Sequence, residues 1–295
     1  MFRGSYTALT TPFARNVFDR ATFEKQIAFQ AANGTNGIVP VGTTGESPTL
    51  SHEEHRHVIE VAVHAAKGTG MKVLAGTGSN ATDEAIDLTR YAKQVGADGV
   101  LLVSPYYNKP TQEGLYRHFK AIAEAVDIPI VLYNIPGRCG VNMAVATTAR
   151  LAKDCKNVVG IKEATGDLNQ ASDTVAGTNL TVVSGDDSLT LPIMAVGGVG
   201  VISVASNIIP RDIRRLVDAA AANNYAAARE MHLRLLPLFR ALFIEGNPTG
   251  VKTALALLGR DTGEMRLPLC EVATTTKLTL RQTLINVGLL AEGQA

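Results

Sequence analysis

Cysteine is scarce and charge is balanced. Among 295 residues there are three cysteines, Cys139, Cys155 and Cys270, and no CxxC pair. An odd, sparse set makes a poor disulfide framework and reads as reduced thiols in a cytosolic protein. The net charge is +1, from 28 basic and 27 acidic residues, and no block of five like charges occurs. That excludes a nucleic-acid binder or polybasic membrane binder that works by charge. The N-terminal MFRGS lacks an apolar signal core. Residues 188–210 carry no charge, but Pro192, Gly197, Gly198 and Gly200 interrupt them. Two buried strands around a turn explain that stretch better than a membrane span. No P-loop, GxSxG or kinase motif set is present. What is abundant is apolar material, 46% of the chain, enough for a large core.

Eight short runs, mostly continuous in apolarity, fall at 6–9, 37–41, 72–75, 99–103, 129–133, 158–162, 180–184 and 200–204. Continuous rather than alternating apolarity is how strands buried on both faces read. Helical spacing marks 22–33, 51–66, 83–95, 112–125 and 144–153, and Ser51 with Glu54 three residues on forms a capping box. Strand starts recur every roughly 20–35 residues, the length of one βα unit. Eight units predict an α/β (βα)8 TIM barrel over residues 1–224. The next segment, 212–223, would be the eighth barrel helix. Helices at 225–243, 249–258 and 277–290 then predict a C-terminal helical extension over 225–295.

In such a barrel chemistry sits at the C-terminal strand ends. Lys162 ends the apolar run Val158–Ile161. Desolvation lowers the pKa of a lysine placed there, and a shift from about 10.4 to about 7–8 costs roughly 4 kcal/mol. The neutral amine is then a nucleophile toward carbonyls; the competing reading is a snorkelling lysine paired with Glu163. Tyr133 and Tyr107 are phenols able to pass a proton. In GTTGES, 42–47, backbone N–H groups can hold a carboxylate, and Thr43 offers a hydroxyl. Arg138 offers a planar fork for a second carboxylate.

Two motifs point elsewhere. GTGSNA, 76–81, fits GxGxxG/A, with Asp98 about 20 residues on. It lies in the third βα unit, however, and Asp83 and Glu84 in the first helical turn would repel a pyrophosphate. HEEHRH, 52–57, lacks the i,i+4 histidine of a zinc protease. Neither a metal nor a nucleotide cofactor is expected.

The set GTTGES at 42–47, SPYYNKP at 104–110, LYNIPGR at 132–138, GIKEATG at 160–166 and SGDD at 184–187 resembles the 4-hydroxy-tetrahydrodipicolinate synthase (dihydrodipicolinate synthase) family. The resemblance runs from residue 2 to about residue 290. It sits within the Schiff-base aldolases that also hold N-acetylneuraminate lyase and the keto-deoxy sugar acid aldolases. Arg138 and the pair Tyr106–Tyr107 favour the synthases. The alternatives are another Schiff-base pyruvate aldolase or lyase, and a dinucleotide-binding oxidoreductase.

The resemblance implies a lyase of lysine and diaminopimelate biosynthesis that condenses pyruvate with L-aspartate 4-semialdehyde. It implies Lys162 as the Schiff-base residue and Tyr133, Thr43 and Tyr107 as proton relay, Tyr107 coming from a neighbouring subunit. Thr43 and Thr44 would hold the pyruvate carboxylate, Arg138 the semialdehyde carboxylate, and Gly185 and Ile202 would line the pocket. It further implies a homotetramer built as a dimer of dimers, in bacterial cytoplasm. An L-lysine effector cleft would be made of Ser47, Leu50, His52, His55, Asn80, Glu84 and Tyr106, with Pro48 in place of the alanine common there.

Overall fold

The computed structural model describes residues 1–292, so the last three residues of the expected extension lie outside the described residues. Eight parallel strands close into one barrel: β1 (Gly4–Ala8), β2 (Gly37–Val39), β3 (Lys72–Gly76), β4 (Gly99–Val103), β5 (Ile130–Asn134), β6 (Val158–Glu163), β7 (Thr181–Ser184) and β8 (Gly200–Ser203). Each strand pairs with the next, and β1 closes the ring against β8, Gly4 standing opposite Gly200. All eight coincide with the apolar runs of the sequence. The fold is the (βα)8 barrel that those runs predict.

Helices α1 (Arg20–Ala32), α2 (His52–Ala66), α3 (Thr82–Val95), α4 (Gln112–Ala125), α5 (Val145–Asp154), α6 (Leu168–Gly177), α7 (Thr190–Ala195) and α8 (Pro210–Ala221) sheathe the barrel. The capping box at the start of α2 is formed in both directions: Glu54 N–H donates to Ser51 Oγ at 3.2 Å, and Ser51 N–H to Glu54 Oε2 at 3.0 Å. Then follow α9 (Tyr225–Ala241), α10 (Thr249–Leu257) and α11 (Thr274–Asn286). Their apolar faces join those of β8 and α8 in one buried cluster.

One expectation is corrected here. The uncharged stretch 188–210 is not two strands around a turn. It opens with a 3-10 turn, continues as α7, and holds the single strand β8. Asp186 starts the helical segment by accepting from the Ser188 N–H at 2.7 Å, and Ile193 and Met194 bury the inner face of α7. A short all-apolar run has no period to separate helix from strand, so this piece was not legible.

Two packing systems result. Helices bury their apolar faces on the outside of the sheet. Inside, Phe2, Tyr6, Val39, Leu101, Tyr133 and Ile202 belong to a separate inner cluster. That filling makes the barrel a solid core with its usable space at one end. The GxGxxG glycines serve this packing: a Cβ on Gly76 would sit 2.5 Å from the Val41 carbonyl oxygen. Asp98 is taken up by Lys72 Nζ, 2.7 Å away, and the Val73 N–H. It therefore lies at the N-terminal end of β3, away from a nucleotide at the motif.

Candidate active site

Strands β5 and β6 run in register with Tyr133 opposite Lys162, so the two side chains share a face. Lys162 is 6% exposed, and its Nζ lies 4.1 Å from the centre of the Tyr133 ring. Burial pulls its pKa down to about 7; Arg138 acts in the same direction and Asp187 against it. Strand alternation sends Glu163 to the other face, where it accepts from the Thr165 N–H at 2.8 Å and bonds Asn134. The pairing of Lys162 with Glu163 is thus ruled out by strand geometry, and the amine stands without that partner. A neutral fraction at neutral pH is what attack on a carbonyl carbon requires.

Tyr133 is held in the phenol form. Burial pushes its pKa up to about 12, offset in part by Arg138 and by a hydrogen bond with the Thr43 side chain. Gly42, Thr43, Tyr106, Tyr133 and Arg138 line a cavity of about 240 Å3 at the C-terminal barrel end. That volume suits a small carbonyl compound. Ile202 is buried in the same inner layer as Tyr133. The segment after β7 closes on the amine: a Cβ on Gly185 would stand 3.0 Å from Lys162 Cε. Just beyond, Asp187 accepts from the Ser203 hydroxyl and from the Val204 and Ala205 N–H groups at 3.0 and 2.9 Å. Burial raises its pKa to about 6.

The turn 42–47 is built from tight backbone bonds, Gly45 N–H to Gly42 O and Glu46 N–H to Thr43 O, both 3.1 Å. Val41 just before it and Glu46 within it lie in the left-handed region, at φ 49° and 55°. Such residues cost about 1–3 kcal/mol and persist only where the surroundings hold them. The hold is a fully buried ion pair: Lys252 Nζ lies 2.5 Å from Glu46 Oε1 and donates to the Thr11 carbonyl at 2.8 Å. Arg138, at the mouth, donates through Nη2 to the Asn247 carbonyl at 2.9 Å, and the Asn247 amide donates to Thr44 Oγ1 at 3.0 Å.

Sequence reading missed Asn247 and Lys252. Each acts on a residue some 200 positions earlier, and no local pattern announces such a partner. The one signal was a lysine inside the apolar run of α10.

Tyr107 is not brought to Tyr133 or Thr43 within this chain. Its side chain is 90% exposed and its backbone is left-handed, at φ 73°. The remaining residues gather beside the cavity. His52 Nε2 lies 3.1 Å from Glu84 Oε1, Ser79 donates to Glu84 Oε2 at 2.5 Å, and Asn80 donates to the Tyr106 carbonyl at 3.2 Å. His52 and His55 are three apart in sequence, yet their settings differ. His52 is exposed, whereas His55 is buried, with Nε2 2.8 Å from the Gly76 carbonyl and Nδ1 3.5 Å from Ser47 Oγ. Leu50 packs against the outer core. Among the described residues no group of three or more His, Cys, Asp or Glu side chains converges as a metal site.

The family model for the dihydrodipicolinate synthetase family matches residues 1–287. The 4-hydroxy-tetrahydrodipicolinate synthase of Endomicrobium trichonymphae is 56% identical over 291 residues, which is 98% of this chain and all of that protein. The crystal structure of dihydrodipicolinate synthase from Aquifex aeolicus superposes with a TM-score of 0.97 at 50% identity, covering 99% of this chain and 100% of that one. A relative from Cyanidioschyzon merolae, solved with lysine bound, superposes at 0.96 and 44% identity over 98% of this chain and 99% of its own. With a matching barrel, a matching length and a buried amine at the strand-six position, the chain belongs to the dihydrodipicolinate synthetase family.

Proposed function

We propose that this enzyme condenses pyruvate with L-aspartate 4-semialdehyde through a Schiff base on Lys162, the entry to lysine and diaminopimelate biosynthesis. The observation that carries the reading is the buried Lys162 amine, its pKa drawn down to about 7, against the Tyr133 ring. Neutral Nζ adds to the ketone carbon of pyruvate. The carbinolamine oxygen takes a proton and leaves as water, and the imine forms. Loss of a methyl proton gives the enamine, whose carbon attacks the aldehyde carbon of the semialdehyde. The substrate's own amino group then displaces Lys162, closing the ring and freeing the enzyme.

Tyr133, a phenol at any working pH, supports proton delivery to the carbinolamine oxygen, and Thr43 is its hydrogen-bonded partner. The backbone turn at Thr43 and Thr44 would hold the pyruvate carboxylate and Arg138 that of the semialdehyde, with Gly185 and Ile202 closing the pocket. Tyr107 completes the relay in the site of a neighbouring subunit. That accounts for a large ring left in solvent on a left-handed backbone. The assembly would be a homotetramer of two such dimers. No helix among the described residues is long and apolar enough to cross a membrane, and a cytoplasmic setting fits the free cysteines.

L-lysine would bind beside the cavity, its ammonium at Glu84 and its carboxylate at Asn80 and the Tyr106 hydroxyl. Ser47, His52, His55 and Leu50 would form the wall, His55 from behind. Lysine inhibition retained in Glu84→Thr would sink that part of the reading. The main test is borohydride reduction with pyruvate followed by peptide mass analysis. Label is expected on Lys162 and absent from Lys162→Ala. Label elsewhere, or cleavage of N-acetylneuraminate by the wild type, would overturn the assignment.

A further inference from the structure

Asn247 lies in the connection between α9 and α10, only 8% exposed. It touches two site residues at once. Its carbonyl accepts from Arg138 Nη2 at 2.9 Å, and its side-chain amide donates to Thr44 Oγ1 at 3.0 Å. Its Oδ1 is buried with no hydrogen-bond partner.

A threonine hydroxyl has one proton and two lone pairs. Once a lone pair accepts from Asn247, the proton must point elsewhere. Among the described residues no protein acceptor takes the Thr44 proton, so it is free for a ligand. A freely turning hydroxyl presents a lone pair to an anion part of the time, which repels it. A donor on the far side claims one of the lone pairs and keeps the proton off that side, so the hydroxyl presents its proton to the ligand more of the time. We infer that Asn247 is a positioning residue that orients the Thr44 hydroxyl as a donor toward the substrate carboxylate. The inference rests on reading the 42–47 turn as the pyruvate carboxylate site.

Two substitutions separate orientation from mere packing. Asn247→Ala removes the donor and leaves the hydroxyl free to rotate. Asn247→Asp keeps the shape but turns donor into acceptor, so the carboxylate claims the Thr44 proton and adds a negative charge nearby. A packing role makes Ala the worse change; an orienting role makes Asp the worse one. The expected KM for pyruvate rises about ten-fold in Asn247→Ala, the scale of one hydrogen bond to a charged group, and at least ten-fold further in Asn247→Asp. kcat at saturating pyruvate should move far less. In a Thr44→Val background both substitutions should lose most of their effect on pyruvate KM.

Asn247→Asp no worse than Asn247→Ala, or effects undiminished in Thr44→Val, would overturn the inference. So would a change confined to the semialdehyde KM, which would place the role at Arg138. Wild-type enzyme that pyruvate and borohydride fail to label would instead overturn the Schiff-base reading. A labelled Asn247→Ala with unchanged pyruvate KM would remove the role of Asn247 alone. Should the alanine variant fold poorly, the near-isosteric aspartate variant still decides the sign.

Discussion

In the proposed chemistry Lys162 would be useful because it is unfavourable to the fold. Its amine goes from an ordinary pKa of 10.5 when unfolded to about 7 in the native barrel, burial being the main cause. Below pH 7 both states carry the proton and the native state bears the full cost of a buried ammonium. At about 1.36 kcal/mol per pKa unit this is on the order of 5 kcal/mol. Between pH 7 and 10.5 the unfolded chain binds more protons, so this cost shrinks as pH rises and vanishes above 10.5. Lys162→Met should therefore raise the melting temperature, and by more at pH 6 than at pH 9.5. Thermal denaturation at both values checks it, and an equal gain at both would contradict the burial argument. If Lys162 is the labelled amine, the same pKa should put the acid limb of pyruvate labelling near pH 7. Lys162 was legible in the sequence because a single charge ending an apolar strand is conspicuous. Asn247 was not, since a neutral amide in a connecting segment looks like any other until the chain folds it over Thr44.

Among elements, the least expected link joins α10 to the turn after β2. Strands β1 to β8 could be found by apolarity alone, because a strand buried on both faces needs that composition whatever its neighbours do. α2 was marked by the Ser51–Glu54 box, which is local chemistry. α7 was hidden because its apolar run is too short to show a period. The tie from Lys252 to Glu46 was hidden for another reason: its energy depends on both partners leaving water together, which is a tertiary fact. With both side chains fully buried, Lys252→Met strands a carboxylate without its counter-ion. It should cost about 3–5 kcal/mol, measured by urea unfolding. Glu46→Gln combined with Lys252→Met should recover most of that loss. A double variant as unstable as the single one would show that shape, not charge, holds the turn.

At the scale of the molecule, the proposed relay would draw on two chains, because Tyr107 is exposed and stands apart from Tyr133 and Thr43. Mixing Tyr107→Phe subunits with Lys162→Ala subunits should restore part of the activity, since some sites in mixed dimers receive both intact residues. No recovery in verified mixed dimers would mean that each site draws on a single chain. Barrel closure carries another consequence. β1 finds its second neighbour only in β8, nearly 200 residues later. Thr7 and Ala8 are then fastened to Ser206 and Asn207, and Thr11 to Lys252. At ribosomal speeds of about 5–20 residues per second, the first strand waits roughly 10–40 s for its partner. Until then the nascent sheet has two open edges, at β1 and at the latest strand made, each able to pair with another chain. A ribosome stalled before Gly200 would thus hold a sticky ribbon rather than a slightly smaller barrel.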